Sequence, residues 1–377
     1  MKIAVNIKRE LVGGITNTIL SAINHLHTFD NEFVGIEVAT EMYMKGPVIF
    51  RAFSPEWFEH HIVNIHHLPL RNMIGKHTTL KEIEQSYKEP ILIIRKILRE
   101  TKPDVLLLSG TYYLPWLISI AAKKENIPIV LWYAGIYTRE TSHNKLELRK
   151  IYSQMEKSIV RRAKKIIFPS KLCRTVVEKE VVGKRLRNGY VIPNPISSVF
   201  TDLSIIGNSL ERRIAAIGRY SKIKNFDVFF NLHKKLLSKK WRHTASFVTN
   251  HNLKINGIPK NIHVLPPMTQ DGLKQFYLTQ GLIVCPSTFE TFGNVPMEAA
   301  CLGIPVLVSE NMGCAEILKQ VGLSNMVMSF DDVDKVSERV IELCGQHILP
   351  KQLNALKKIL DYRFIGEEIK AVLQSAV

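Results

Sequence analysis

The chain has 377 residues, 46% of them hydrophobic and 23% charged, a composition ordinary for a globular protein and a length that suits two domains better than one core. Its formal net charge is +17, with +12 in residues 1–195 and +5 in the remainder. That excess favours an anionic partner, either an anionic membrane surface or a phosphorylated acceptor, over nucleic acid, for which the chain carries no recognition motif. Met1–Ile7 reads as a strand and not as a leader peptide, and the longest apolar stretch, near Tyr112–Ala122, is too short to span a bilayer. Cys173, Cys285, Cys301, Cys314 and Cys344 are odd in number and form no C-x-x-C pair, which argues against a disulfide framework or a zinc site and fits a reducing cytosol.

In chain order, Ile3–Ile7 is a strand, followed by Gly13-Gly14 and a helix whose apolar residues Ile19, Leu20, Ile23 and Leu26 share a face. Glycines between a first strand and a first helix let backbone approach a ligand, and the helix start suits phosphate. The pattern is not G-x-G-x-x-G, so a dinucleotide site is not expected. Phe33–Val38 and Pro47–Phe53 read as strands. Residues 54–80 are rich in His and aromatics and are expected to be irregular, an acceptor-side segment. Their His60-His61 and His66-His67 pairs lack a zinc spacing. Lys81–Arg99 is helical, with Pro90 breaking or kinking it. Asp104–Leu108 and Ile129–Trp132 are buried strands, and Leu146–Ala163 is a basic helix. Residues 196–211 are turn-rich and are expected to link two domains.

The second half opens with a strand, Arg213–Ile217, then Gly218-Arg219 and Lys224 in a loop before a helix from about Asp227 to Leu237. An Arg and a Lys so placed can converge on one phosphate group. Leu282–Cys285 is another short apolar strand, and Pro286-Ser-Thr-Phe-Glu290-Thr-Phe-Gly293-Asn294 follows it. Pro296 suits a first helical turn, Gly303 ends that helix, and Pro305 opens the next strand. The result is a βαβ unit with Glu290 in the loop and Glu298 in the helix. Such a loop lies at the carboxyl end of a parallel strand, where open α/β sheets bind ligands, and the helix start suits an anion. Two carboxylates beside an anion site make sense as acceptors from hydroxyls. A sugar nucleotide offers a diphosphate, a hexose and a ribose. Asp332-Val-Asp334 spells D-x-D but sits before a helix, so it reads as an N-cap cluster. No metal ligand set is expected.

The pattern P-S-x-x-E-x-F-G-x-x-x-x-E-A, completed by A-x-x-x-G-x-P, resembles the signature of the retaining GT-B glycosyltransferases, two glutamates with seven residues between them (E-x7-E). Gly218-Arg219 with Lys224-Asn225 resembles their G-R-x-x-x-x-K-[GN]. Asn311–Ile317 is similar to their G-G-x-x-E-[IV]. The resemblance is close over residues 212–320 and loose over residues 1–195. It implies two Rossmann-like doubly wound parallel-sheet domains facing a cleft: residues 1–195 for acceptor, residues 212–360 for nucleotide-sugar, and a last helix, 361–377, crossing back to the first domain. It implies that Arg219 and Lys224 clamp the donor diphosphate, that Glu290 binds hydroxyls of the donor sugar, and that Glu298 binds the ribose. Gly218, Phe292, Gly293, Asn294 and Val295 would complete the donor site, with Gly13 and Gly14 lining the reaction centre. Members of the family usually carry His-Gly where this chain has Ala134-Gly135. Tyr133, Tyr137 and His143 are the candidates for that acceptor side.

The resulting expectation is a metal-independent hexosyltransferase without a cofactor. It would take a UDP-, GDP- or ADP-hexose and a glycan or lipid-linked acceptor, in the cytoplasm or at the inner face of the cell membrane, for surface polysaccharide or lipopolysaccharide-type synthesis. A GT-B sugar-nucleotide epimerase or phosphorylase, and a non-catalytic nucleotide- or carbohydrate-binding protein, are the alternatives.

Overall fold

The computed structural model describes residues 1–7, 14–40, 58–65, 73–75, 78–142, 144–201, 212–249 and 257–377. The chain divides into two compact units, one of Met1–Pro193 with Ile365–Val377 and one of Asn194–Phe364.

Unit 1 is built on a seven-stranded parallel sheet: β1 (Lys2–Asn6), β2 (Glu32–Thr40), β3 (Glu59–Ile65), β4 (Val105–Ser109), β5 (Ile129–Trp132), β6 (Lys165–Phe168) and β7 (Gly189–Val191), in the order β3-β2-β1-β4-β5-β6-β7. Strands β4 and β5 are buried along their whole length. That is why they read as continuous apolar runs without alternation. The helix Gly14–His27 packs Ile19, Ile23 and Leu26 into the core. The last helix, Tyr362–Gln374, places Ile365, Ile369, Val372 and Leu373 in the same core. Gly366 is required there, because a β-carbon would sit 2.2 Å from the His25 ring.

Three expectations in this unit are corrected or fall outside the described residues. Residues 54–80 are not wholly irregular: β3 pairs in parallel with β2 at the sheet edge. The run Ile62-Val63-Asn64-Ile65 carries the β-propensity, Val63 and Ile65 are buried, and His60 Nε2 lies 3.3 Å from Glu37 Oε2. The break in the helical stretch falls at Tyr87, between helices Leu80–Ser86 and Lys88–Thr101. Pro90 sits in the first turn of the second, where its missing N–H has no partner to lose. The expected strand Pro47–Phe53 lies outside the described residues.

Unit 2 holds a six-stranded parallel sheet: β8 (Arg213–Ile217), β9 (Thr244–Val248), β10 (Ile262–Leu265), β11 (Leu282–Cys285), β12 (Val306–Ser309) and β13 (Val327–Met328), in the order β10-β9-β8-β11-β12-β13. The stretch expected as a linker begins inside this unit. Ile196 bridges to Asp361, and a short helix, Ser198–Thr201, buries Phe200 completely in the core. Residues 202–211 lie outside the described part. Asp332 caps the helix Val333–Leu343, its carboxylate accepting from the N–H groups of Asp334 and Lys335.

Candidate functional site

The strand order of unit 2 reverses between β8 and β11, which are hydrogen-bonded neighbours. At such a switch point the loops leaving the two strands diverge to opposite faces and open a crevice. The β8 loop carries Gly218, Arg219 and Lys224. The β11 loop carries Pro286 to Gly293. Topology alone therefore brings the two motifs side by side, although about 70 residues separate them in the chain.

The two loops are tied to each other. The Thr288 N–H donates to the Ile223 carbonyl at 2.8 Å, and its hydroxyl to the same oxygen at 3.2 Å. Lys224 Nζ lies 2.9 Å from Glu290 Oε1, and the Ser287 hydroxyl donates to that oxygen at 2.6 Å. Glu290 is fixed at its backbone as well: its N–H donates to Asn311, and its carbonyl accepts from Gly313. Gly218 has φ +146°, Asn225 has φ +54°, and Lys224 and Asn225 donate back to the Ser221 carbonyl. This tight turn returns Lys224 toward the β11 loop. Arg219, by contrast, is exposed and makes no ion pair among the described residues. Burial first, and the Glu290 carboxylate next, push the Cys285 and Cys314 thiols up. Both therefore stay protonated and neutral beside the pair.

Gly293 has φ +114°, and a β-carbon there would lie 2.8 Å from Met312 Cε and 2.9 Å from Cys314 Sγ. It occupies the cap position of the helix Asn294–Cys301. Asn294 starts the helix and accepts from Asn194 Nδ2 at 3.0 Å. Phe292 is buried, and its carbonyl accepts from the Cys314 N–H. Val295 is partly buried in the first turn. Glu298 is not joined to the Lys224–Glu290 pair. Its Oε2 accepts from the Tyr277 hydroxyl at 2.9 Å, and burial pushes its carboxyl up to about 7. Tyr277, Ser287 and Asn194 complete this arrangement without having been singled out from the sequence, although Ser287 stands in the quoted motif.

In unit 1, Gly14 begins the helix Gly14–His27, and Gly13 and His143 lie outside the described residues. Tyr133 does not present its hydroxyl at an acceptor face. It is fully buried, its ring stacks on Phe168, and its hydroxyl donates to Glu156 Oε1 at 2.8 Å. Tyr137 is partly exposed, with its ring edge-on to Tyr152 and its N–H donating to the same Glu156 oxygen. Glu156, on the basic helix Leu146–Arg162, is fully buried. It also accepts from the Thr111 hydroxyl and from the N–H and hydroxyl of Thr138. It thus ties together the loops leaving β4 and β5. Burial raises its carboxyl, and the donors from Thr138, Tyr133 and Thr111 pull it back down.

Among the described residues no three of His, Cys, Asp or Glu gather as a metal-binding group, and no helix is long and apolar enough to cross a membrane.

Comparison with known proteins agrees with this architecture. Residues 12–199 match the model of Glycosyltransferase Family 4, and residues 211–346 match that of Glycosyl transferases group 1. Over 125 residues the chain is 26% identical to an uncharacterized 41.2 kDa protein in the cps region of Klebsiella pneumoniae, covering 33% of this chain and 35% of that one. Over 101 residues it is 32% identical to D-inositol 3-phosphate glycosyltransferase 1 of Catenulispora acidiphila, covering 27% of this chain and 23% of that one. The matched segments thus span about a third or less of these curated relatives. Among solved structures, the sucrose-phosphate synthase of Thermosynechococcus elongatus superposes with a TM-score of 0.72 at 11% identity, covering 100% of this chain and 98% of that one. WaaG, a glycosyltransferase involved in lipopolysaccharide biosynthesis, gives 0.67 at 13% identity over 99% of both chains. These likenesses show the GT-B fold, two parallel-sheet α/β domains. With the two family models together matching most of the sequence, the chain belongs to the glycosyltransferases of group 1 and family 4.

Proposed function

We propose that the chain transfers a hexose from a nucleotide-sugar donor to a hydroxyl of a glycan or lipid-linked acceptor, with retention at the anomeric carbon and without a metal. The observation that carries this reading is the Lys224–Glu290 pair, 2.9 Å apart at the switch point of unit 2. It puts a cation for a diphosphate and a carboxylate for sugar hydroxyls in one place.

The difficult step is breaking the bond between the anomeric carbon and the diphosphate oxygen. Negative charge develops on that oxygen and positive charge on the sugar ring. Arg219, Lys224 and the N–H groups at the helix start near Gly293, Asn294 and Val295 stabilise the leaving diphosphate. A single preorganised donor of this kind is worth about 10²–10³ in rate. The acceptor hydroxyl attacks the face that the diphosphate leaves and passes its proton to the departing oxygen, so no protein nucleophile is needed. Glu290 accepts from hydroxyls of the hexose, and Glu298 from those of the ribose. In unit 1, Gly13 and Gly14 remain candidates by resemblance alone, and Tyr137 and His143 are the remaining acceptor-side candidates.

For the acceptor, the supporting facts are a relative in a cps region, a fold neighbour involved in lipopolysaccharide biosynthesis, and the basic charge of residues 1–195. They favour a surface polysaccharide or lipopolysaccharide-type acceptor, used in the cytoplasm against the anionic inner face of the membrane. A donor screen tests the proposal: thermal stabilisation by UDP, GDP, ADP and their hexoses. A true donor at 100 times its Kd adds about 2.7 kcal/mol. Absence of stabilisation by all of them overturns it. So does loss of transfer on adding a chelator, as far as the metal-free step is concerned. An epimerase or phosphorylase on this fold is separated from a transferase by whether free nucleoside diphosphate appears only when acceptor is present.

A further inference from the structure

Glu298 has a partner that nothing in its own motif supplies. Tyr277 lies on the helix Gln270–Leu278, which precedes β11, whereas Glu298 lies on the helix that follows it. The two side chains meet, with the Tyr277 hydroxyl donating to Glu298 Oε2 at 2.9 Å. Tyr277 is fully buried, and its ring stands edge-on to the equally buried Phe200 at 6.0 Å. Its two torsions are therefore held by packing, and its hydroxyl has one direction in which to donate. Glu298 Oε1 hydrogen-bonds to no described residue. One oxygen is anchored from the interior, and the other is left for an incoming donor.

We infer that Tyr277 is a positioning residue for nucleotide recognition: it orients Glu298 so that the free oxygen meets the ribose hydroxyls of a nucleoside diphosphate. This rests on the reading of Glu298 as the ribose-binding group. Without the anchor, the carboxylate has three torsions to order on binding and one oxygen poorly solvated in its half-buried place. Both costs fall on the ligand. The phosphate end of the ligand is held elsewhere, by Arg219 and Lys224, and does not sense the change.

The test compares two probes by titration calorimetry, the tightest-binding of UDP, GDP and ADP, and inorganic pyrophosphate, which has no ribose. For Tyr277→Phe the nucleoside diphosphate Kd should rise by about tenfold, the scale of one hydrogen bond to a charged group. The pyrophosphate Kd should stay within about twofold, well inside the tenfold that 1.4 kcal/mol represents. The double variant Tyr277→Phe/Glu298→Gln should bind the nucleotide as Glu298→Gln does, since Tyr277 acts through Glu298. If Tyr277→Phe weakens both probes alike, or if its effect adds in full to that of Glu298→Gln, Tyr277 is merely structural and the inference falls. If the wild-type chain binds none of the three nucleotides, it is the donor reading that fails, a different outcome. Should Tyr277→Phe fold poorly, Glu298→Asp takes its place: withdrawing the carboxylate from Tyr277 should give the same split between the probes.

Discussion

Lys224 Nζ and Glu290 Oε1 stand 2.9 Å apart, with the Ser287 hydroxyl on the same oxygen, at the meeting point of two loops that the β8–β11 neighbourhood brings together. Both side chains are mostly buried, so removing one leaves the other poorly compensated. Lys224→Met should therefore do two things. It should lower kcat/KM for transfer by about 10²–10³, and it should destabilise the fold by about 1–3 kcal/mol. Steady-state kinetics and a denaturant titration measure the two separately. A kcat/KM within a factor of three of wild type refutes the clamp.

Glu298 gives a pH signature. Its carboxyl is raised from 4.5 to about 7, chiefly by burial, and the Tyr277 hydroxyl offsets part of that rise. A carboxyl whose folded value is raised holds its proton where the unfolded chain has lost it. The folded state thus binds more protons between pH 4.5 and about 7, and this group's contribution to stability falls as pH rises through that window. Glu298→Gln should flatten that part of the stability–pH curve. Nucleotide binding should run the other way: it strengthens as pH rises through about 7, because the ionised carboxylate is the better acceptor of ribose hydroxyls. Calorimetry in buffers of different ionisation enthalpy should detect proton release on binding at pH 6.5 in wild type and none in Glu298→Gln.

Gly293 is held to glycine by two independent facts, its φ of +114° and the absence of room for a β-carbon against Met312 and Cys314. Gly293→Ala should cost about 2–4 kcal/mol from strain and overpacking together. It should also displace the helix start proposed to hold the donor diphosphate. The thermal midpoint reads the first effect and the pyrophosphate Kd the second. An unchanged midpoint would show that this turn is not as tight as its geometry indicates.

The parts of this site that could be read from letters are those whose chemistry is local. Gly218, Arg219 and Lys224 follow an apolar strand within a few residues, and Glu290, Gly293 and Pro296 punctuate one strand–loop–helix passage. What escaped notice is carried by contacts between distant elements. Tyr277 on an amphipathic helix reads as core, and its partner is 21 residues away beyond a strand. Glu156 lies in a helix that reads as basic from its Arg and Lys residues, among which a single glutamate does not stand out. A signal was present: Glu156 is four residues from both Tyr152 and Val160, which are buried, so it shares their face. Tyr133 shows the complementary case, since a tyrosine after a strand at a binding edge reads as exposed whereas it is fully buried. The strand β3 was obscured by its histidines.

Glu156 yields a prediction of its own. All five of its hydrogen bonds are donations to it, and two come from backbone N–H groups, of Tyr137 and Thr138, that cannot reverse. Glu156→Gln keeps the shape but aims an NH₂ at one of those N–H groups. The expected loss is about 2–4 kcal/mol, the scale of a broken buried network. Thr111→Val removes one donor of the five and should cost about 1 kcal/mol. Parallel denaturant titrations decide it. Equal effects for the two variants would mean that Glu156 is not the hub of the β4 and β5 loops.

Arg219 separates stability from function most cleanly. It is exposed and makes no ion pair among the described residues, so the folded state asks nothing of it. Surface substitutions of this kind stay within about 0.5 kcal/mol. Arg219→Ala should accordingly leave the thermal midpoint unchanged, in contrast to Lys224→Met. If the guanidinium waits for a diphosphate, the same variant should weaken pyrophosphate and nucleoside diphosphate binding together, by about tenfold or more for a charge-assisted contact. Arg219→Lys should recover only part of this, because an ammonium lacks the planar fork that grips two phosphate oxygens at once. A variant that keeps both its midpoint and its pyrophosphate affinity would remove Arg219 from the anion site and leave Lys224 and the helix start to hold the phosphates alone.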